Sequence, residues 1–298
     1  MGPGRGNVSE VETLAQLSEV QQSLLPTTDD VQFYGEHGYW ISPVMIPDDV
    51  LDAAERGMHR YYAGDLDSPG VHSADWTPSP GPGLRKDDYA SFCVNELAAL
   101  IRYSMIGATA AELSGAEGIR LWHDQLLYKP VDRADLQANV GWHTDRQYWR
   151  CCTSTEMLTA WVAFHDVTPE TGSVGFFDRS HRWDITGMDF FSQDLAGLED
   201  SVRNQGFTAE IVPTTMKRGQ VSFHHCRTVH GSGPNRGTEP RRSLAIHLQP
   251  ADNEAFVEPD GTIARHHNNE LARKINGKPD FSDEQIFPLL WSTSSSHR

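Results

Sequence analysis

NVGWHTDRQYW, residues 139–149, sets an imidazole and a carboxylate two positions apart, His143 and Asp145, among aromatic side chains. The run reads as a buried strand, and a strand sends residues i and i+2 to the same face. His143 and Asp145 are therefore expected to project together, with Thr144 turned away. Such a pair starts a metal site or an acid/base pair, or it is a coincidence. His-x-Asp alone is a weak signal, so the rest of the chain has to separate these readings.

Outward from this stretch, short β-like runs dominate after Gly118: IRLWHDQLLYKP (119–130), EMLTAWVAFHDV (156–167), GSVGFF (172–177), FTAEIVPTT (207–215), GQVSFHH (219–225), RTVHG (227–231) and RRSLAIHLQ (241–249). Turn signals separate them, as at Pro169–Gly172 and Gly231–Asn235. Many short strands at this rhythm predict a sandwich or barrel. The N-terminal third has a different texture. Apolar residues at Val11, Leu14, Leu17, Val20 and Leu24 predict a helix stopped by Pro26, and a second helix runs from a Thr27 or Thr28 cap to Gly38. YWISPVMI (39–46) reads as a strand, residues 47–62 and 95–114 as helices. Residues 63–91, rich in Gly, Pro, Ser and Asp, read as a long loop, and their Trp76, Arg85, Lys86 and Tyr89 suggest a lid over a site. The expected fold is mainly β: a double-stranded β-helix (jelly roll, cupin-like) with N-terminal and peripheral helices. It forms one domain over 1–298, divided into an N-terminal extension (1–26), helical support and loop (27–117), jelly-roll core (118–250) and C-terminal extension (251–298).

Composition narrows the function. Hydrophobic residues make up 38% of the 298, enough for a packed core. Twenty-five basic against 41 acidic side chains leave a net charge of −16, which repels phosphate backbones and anionic membrane surfaces, so nucleic acid and membrane are not expected partners. Cys93, Cys151, Cys152 and Cys226 form no CxxC pair, and adjacent cysteines rarely bridge, so free thiols in a reducing compartment are expected. No apolar signal core or membrane-length run is present. A soluble, cytoplasmic protein is the expectation.

A second histidine, His230, ends a strand before a Gly-rich turn, 87 residues after His143. Jelly rolls bring such strands side by side, and two histidines with one carboxylate on a face form the triad of non-haem Fe(II) sites, which leaves other coordination positions open. Arg241 follows 11 residues after His230. On its strand Arg241, Ser243, Ala245 and His247 share one face, and Arg242, Leu244 and Ile246 the other. A guanidinium inside a barrel needs a carboxylate, and the small neighbours Ser243 and Ala245 leave room for one carried by a ligand.

These residues resemble the phytanoyl-CoA dioxygenase family of Fe(II)/2-oxoglutarate oxygenases. The resemblance runs from FYGEHGYWISPVMIPDDVLDAAE (33–55) through QLLYKP (125–130), WHTDRQYW (142–149), AWVAFHDVTPETGSVGFFDRSH (160–181) and GQVSFHHCRTVHGSGPNRGTEPRR (219–242) to FPLLW (287–291). It implies that His143, Asp145 and His230 hold Fe(II) and that Arg241 grips the distal carboxylate of 2-oxoglutarate, helped by Ser232. It also implies that Trp161 lines the cosubstrate pocket. Gln125 and Lys129, on one strand face with Leu127, are expected to reach the same pocket. The implied reaction uses O2 as a further cosubstrate, converts 2-oxoglutarate to succinate and CO2, and oxidises a C–H bond of a small molecule, by default hydroxylating it. Related halogenases lack the carboxylate that Asp145 supplies, which disfavours halogenation. Asp178–Arg179–Ser180–His181 departs from the family's usual PGSH turn and puts that local turn in doubt.

Trp142, Tyr148 and Trp149 either pack a barrel end or wall the substrate mouth. His123, His165, His181, His224, His225 and His247 are expected to be structural or to support the ligands, His266 and His267 to face solvent, and Arg146 and Arg150 to be surface charges. Two other classes stay open: a non-catalytic ligand-binding jelly roll, and a zinc-dependent hydrolase using the same His/Asp/His set.

Overall fold

The computed structural model describes residues 16–72, 78, 81–133, 138–184, 195–208 and 210–293. In chain order the elements are α1 (Glu19–Ser23), α2 (Thr28–His37), β1 (Tyr39–Ile41), α3 (Asp48–Tyr62), β2 (Arg85–Asp88), α4 (Asn95–Ile101), α5 (Ser104–Ser114), β3 (Gly118–Lys129), β4 (Val140–His143), β5 (Leu158–Ala163), β6 (Gly175–Phe177), α6 (Leu195–Asn204), β7 (Ile211–Pro213), β8 (Val221–His225), β9 (His230–Ser232), β10 (Arg241–Pro250), α7 (His267–Leu271), β11 (Lys274–Ile275), β12 (Lys278–Pro279) and β13 (Leu289–Ser292).

A major antiparallel sheet runs β1-β8-β5-β10-β3-β13, and a minor sheet runs β4-β9-β6-β7. This is a jelly roll. The far edge of β3 is shared: β13 pairs with Gly118–Arg120, and β2 pairs with Gln125–Tyr128. Period-two alternation gives the major sheet two different faces. Leu158, Ala160 and Val162 of β5, Leu244, Ile246 and Leu248 of β10, and Val221 and Phe223 of β8 belong to one apolar core that also takes in buried residues of α3, α4 and α5. Each such aliphatic side chain removed from water contributes about 1.5–3 kcal/mol. The opposite face carries Thr159, Trp161 and Ala163, Arg241, Ser243, Ala245 and His247, Gln125 and Leu127, and looks toward the minor sheet. One sheet therefore both anchors the helices and floors a cavity.

Several predicted elements differ in detail. The helix expected over 11–25 falls partly outside the described residues; within them it covers only Glu19–Ser23, restarted by a capping box in which Ser18 Oγ accepts from the Gln21 N–H. The helix expected over 95–114 is two helices, because Tyr103 is extended (φ −62°, ψ 115°) and its hydroxyl donates to the Met45 carbonyl. The strand expected over 39–46 stops at Ile41, before Pro43, which has no N–H to donate. The 63–91 segment is not a featureless loop. Its last part, Arg85–Asp88, is a sheet strand, and Arg85 stacks on the rings of Tyr62 and Tyr128. Trp76 lies outside the described residues. Strands β1, β2 and β13 also carry the major sheet beyond the 118–250 core. All four cysteines are free and buried. Among the described residues, no helix is long and apolar enough to cross a membrane.

Candidate active site

His143 and His230 face each other in register across β4 and β9, with ring centroids 4.2 Å apart. The strand ends at His143, and Asp145 opens a 3-10 turn over Asp145–Gln147. The expected shared strand face is thus replaced by a strand end and a turn, which swing the carboxylate inward. Asp145 Oδ1 lies 3.9 Å from His143 Nε2 and 3.7 Å from His230 Nε2. The three ligand atoms lie within 4.8 Å of one another, the one His/Cys/Asp/Glu cluster of metal-holding spacing among the described residues.

The protonation pattern suits a metal. His143 Nδ1 is 2.8 Å from the Gly141 carbonyl and His230 Nδ1 is 3.0 Å from the Thr228 carbonyl. A carbonyl only accepts, so each Nδ1 carries the proton and each Nε2 lone pair faces the centre. Burial pushes the His143 imidazole down to about 3 and the His230 imidazole to about 4, so both are neutral at physiological pH. Asp145 Oδ2 accepts from Thr159 Oγ1 at 2.7 Å, which leaves Oδ1 toward the histidines.

The turn 178–181 serves the site. Arg179 is left-handed (φ 60°) with its N–H on the His37 carbonyl, His37 Nδ1 meets Asp178 Oδ1 at 2.7 Å, and Ser180 Oγ accepts from the Val229 N–H. That last bond fixes the backbone just before His230.

A cavity of about 380 Å³ opens beside the triad. Its closed end is cationic. Arg241 (1% exposed) and Lys129 (0%) pair in register on β10 and β3, and neither has a carboxylate partner among the described residues. Arg241 Nη1 donates to the Gly172 carbonyl, its Cζ lies 5.1 Å from the Trp161 ring centroid, and its Nε has no partner among the described residues. Trp161 Nε1, Ser222 Oγ and Ser243 Oγ are equally without partners. Lys129 Nζ lies 2.5 Å from Ser232 Oγ and 2.6 Å from the Gly233 carbonyl. Burial, and then the neighbouring Arg241, pull the Lys129 ammonium down to about 6; burial alone pulls Arg241 down to about 9. A pocket that dry and positive fits a bound carboxylate.

Arg241, Ser232, Trp161, Gln125, Tyr148 and Trp149 line the cavity. Lys129 stands behind Ser232 rather than on the wall. Trp142 is a correction: strand alternation turns it away from His143, and it packs on Phe177 (centroids 4.7 Å) in a cluster with Leu198 and Val202 of α6. Arg146 is no free surface charge; its Nη1 donates to the carbonyls of Trp149, Cys152 and Ser154 and pins the loop that carries Tyr148 and Trp149. Lys86, expected only as part of a lid, lines the cavity; sequence reasoning missed Asp88, Asn139 and Thr159, and assigned His123, His224, His247 and His266 no place in the cavity that all of these line. His247 sits on the Arg241 face and Thr159 two residues before Trp161, so period two could have found both.

A jelly roll holding two imidazoles and one carboxylate beside a cationic pocket is the build of a non-haem iron oxygenase that uses a dicarboxylic cosubstrate. Residues 34–243 match the phytanoyl-CoA dioxygenase (PhyH) family, and the chain belongs to it. It is 22% identical over 280 residues to the peroxisomal phytanoyl-CoA dioxygenase of Mus musculus, covering 88% of this chain and 81% of that protein. Among solved structures it is similar to the alpha ketoglutarate dependent carbocyclase SnoK from nogalamycin biosynthesis, with TM-score 0.68 and 23% identity over 89% of this chain and 96% of that one. It is also similar to EctD from S. alaskensis with 2-oxoglutarate and 5-hydroxyectoine, with TM-score 0.63 and 19% identity over 80% and 84%. The enzyme is an Fe(II)/2-oxoglutarate-dependent dioxygenase by family, with O2 as cosubstrate.

Proposed function

We propose that this oxygenase hydroxylates an unactivated C–H bond of a small-molecule metabolite or natural product, with His143, Asp145 and His230 as the iron ligands and Arg241 as the anchor of 2-oxoglutarate. The observation that supports the reading is Arg241, a buried guanidinium with no carboxylate partner among the described residues, on the wall of the cavity that the triad lines, with Lys129 in register beside it. Iron(II) with 2-oxoglutarate and O2 supplies the oxidising chemistry. The chain's own residues bind, orient and exclude water. Arg241 meets the distal carboxylate with its free Nε edge. Lys129, recharged by the anion, donates to Ser232 Oγ and so turns the Ser232 proton toward the same carboxylate. Trp161 and Trp149, each 2% exposed, wall the cavity against water. Tyr148, 46% exposed, borders the mouth through which substrate enters.

A zinc hydrolase would use the same three donors but gives Arg241 and Lys129 no task, and a passive binder gives the triad none. The four buried free thiols favour a reducing compartment, on which the cytoplasmic reading rests. The test is succinate formation from 2-oxoglutarate with Fe(II) and O2, its loss with Zn(II) or in His143→Ala, and a mass-spectrometric screen of metabolites for a gain of one oxygen. A loss of two hydrogens instead would keep the enzyme class and overturn hydroxylation. Wild-type turnover by His143→Ala would overturn the site.

A further inference from the structure

One cavity residue with no part in metal or cosubstrate binding sits at the end of a chain of hydrogen bonds whose proton directions are fixed. His224, Thr159, His247 and His123 form a single row across β8, β5, β10 and β3, each in register with the next. Thr159 Oγ1 lies 2.7 Å from Asp145 Oδ2 and 2.7 Å from His247 Nδ1. A hydroxyl has one proton, and the carboxylate can only accept it. The Thr159 proton therefore goes to Asp145, and His247 Nδ1 must donate to Thr159 Oγ1. A neutral imidazole protonated at Nδ1 carries its lone pair on Nε2. His247 is buried, 8% exposed. Its Nε2 has no partner among the described residues, and His247 lines the cavity. The ring cannot turn to hide this lone pair. His123 lies against it at 4.4 Å between centroids, and Trp149 meets it edge to face at 5.1 Å.

We propose that Thr159 is a positioning residue that sets both the Asp145 carboxylate and the His247 tautomer, and that His247 Nε2 is a substrate-reading acceptor for a molecule bearing an O–H or N–H group. The reading rests on the proposed oxygenase function and narrows its substrate class. An alkyl chain offers no donor to this wall. Neighbouring Lys86 and Asp88, both exposed at the cavity's edge, extend the same polar surface.

The test uses the full chain labelled with 15N-histidine, loaded with Zn(II) and 2-oxoglutarate so that no turnover occurs. Long-range 1H–15N spectra should report His247 as a single tautomer, protonated at Nδ1. Thr159→Val, close in shape, should release that tautomer and weaken Fe(II) binding about 10- to 100-fold. Thr159→Ser should restore both. Small diols and primary amides should shift the His247 Nε2 resonance, and their fully O- or N-methylated counterparts should not. A protonated Nε2 in the wild type, Fe(II) affinity of Thr159→Val within twofold of wild type, or equal responses to donors and methylated compounds would overturn the proposal. Absence of succinate formation by the Fe(II)-loaded wild type would instead count against the oxygenase function, since the tautomer readout needs no turnover.

Discussion

Replacing Arg241 by leucine should separate cosubstrate binding from folding. The guanidinium is 1% exposed, holds only the Gly172 carbonyl among the described residues, and faces Lys129 across the strand pair. Burial disfavours its charged form. An incoming carboxylate relieves that cost; without the arginine there is nothing to relieve. Truncating one partner of a buried charge pair costs about 2–5 kcal/mol, so the 2-oxoglutarate dissociation constant should rise between about 30- and 5,000-fold. The cosubstrate-free variant should melt no lower than wild type, because the leucine needs no counter-charge. Arg242 is the internal control. It lies on the other face of β10, paired with Glu55 at 2.9 Å, and Arg242→Ala should cost about 0–1 kcal/mol of stability and leave the cosubstrate affinity within threefold. Anaerobic calorimetric titration of the Fe(II)-loaded variants with 2-oxoglutarate, beside their melting curves, decides the matter. An Arg241→Leu affinity within threefold of wild type, or a larger loss in Arg242→Ala, would refute the reasoning.

Trp142→Ala should destabilise the fold by about 3–5 kcal/mol through the α6 contact, yet leave succinate formation per folded molecule nearly unchanged; denaturation and turnover measured together check this, and selective loss of turnover would return Trp142 to the cavity. Gly172 is left-handed (φ 68°), and a Cβ there would meet the Gly233 carbonyl at 2.8 Å. Gly172→Ala should therefore cost roughly 1–3 kcal/mol and weaken 2-oxoglutarate binding by shifting the carbonyl that holds Arg241; an unchanged melting curve and affinity would contradict it. Lys129, lowered from 10.5 to about 6, is mostly neutral above pH 7 in the empty cavity. Binding a dianion raises it again, so 2-oxoglutarate should take up protons as it binds, and its affinity should fall as pH rises above about 6. Calorimetry in two buffers of different ionisation enthalpy measures that uptake; none in the wild type, or equal uptake in Lys129→Met, would contradict it.

The jelly roll was legible because its strands keep strict alternation. Arg241, Ser243, Ala245 and His247 share the cavity face and Leu244, Ile246 and Leu248 the core face, as period two requires. The triad was legible from residue type and spacing, although the local geometry was not: a 3-10 turn, not a strand, delivers Asp145. Periodicity is blind to such a turn, as it is to the two-residue break before Ser104. Strand β2 was hidden because RKDD carries no apolar alternation; its pairing comes from β3, and Arg85 gains its place by stacking on Tyr62 and Tyr128. That concealed Asp88 as a cavity residue and the strand that brings Lys86 to the cavity. Thr159 and His247 were on the expected face, but nothing in the sequence gives their 2.7 Å contact. Trp142 and Trp149 looked alike as aromatic neighbours of the ligands, and only the position of α6 tells them apart.

The most direct measurement is a crystal structure of the protein soaked anaerobically with Fe(II) and 2-oxoglutarate, with diffraction recorded on both sides of the iron edge. The expected result is one anomalous peak within bonding distance of His143 Nε2, Asp145 Oδ1 and His230 Nε2, with the distal carboxylate of 2-oxoglutarate on Arg241. A peak elsewhere, a peak ligated by a different set of side chains, or none at full Fe(II) loading would contradict it.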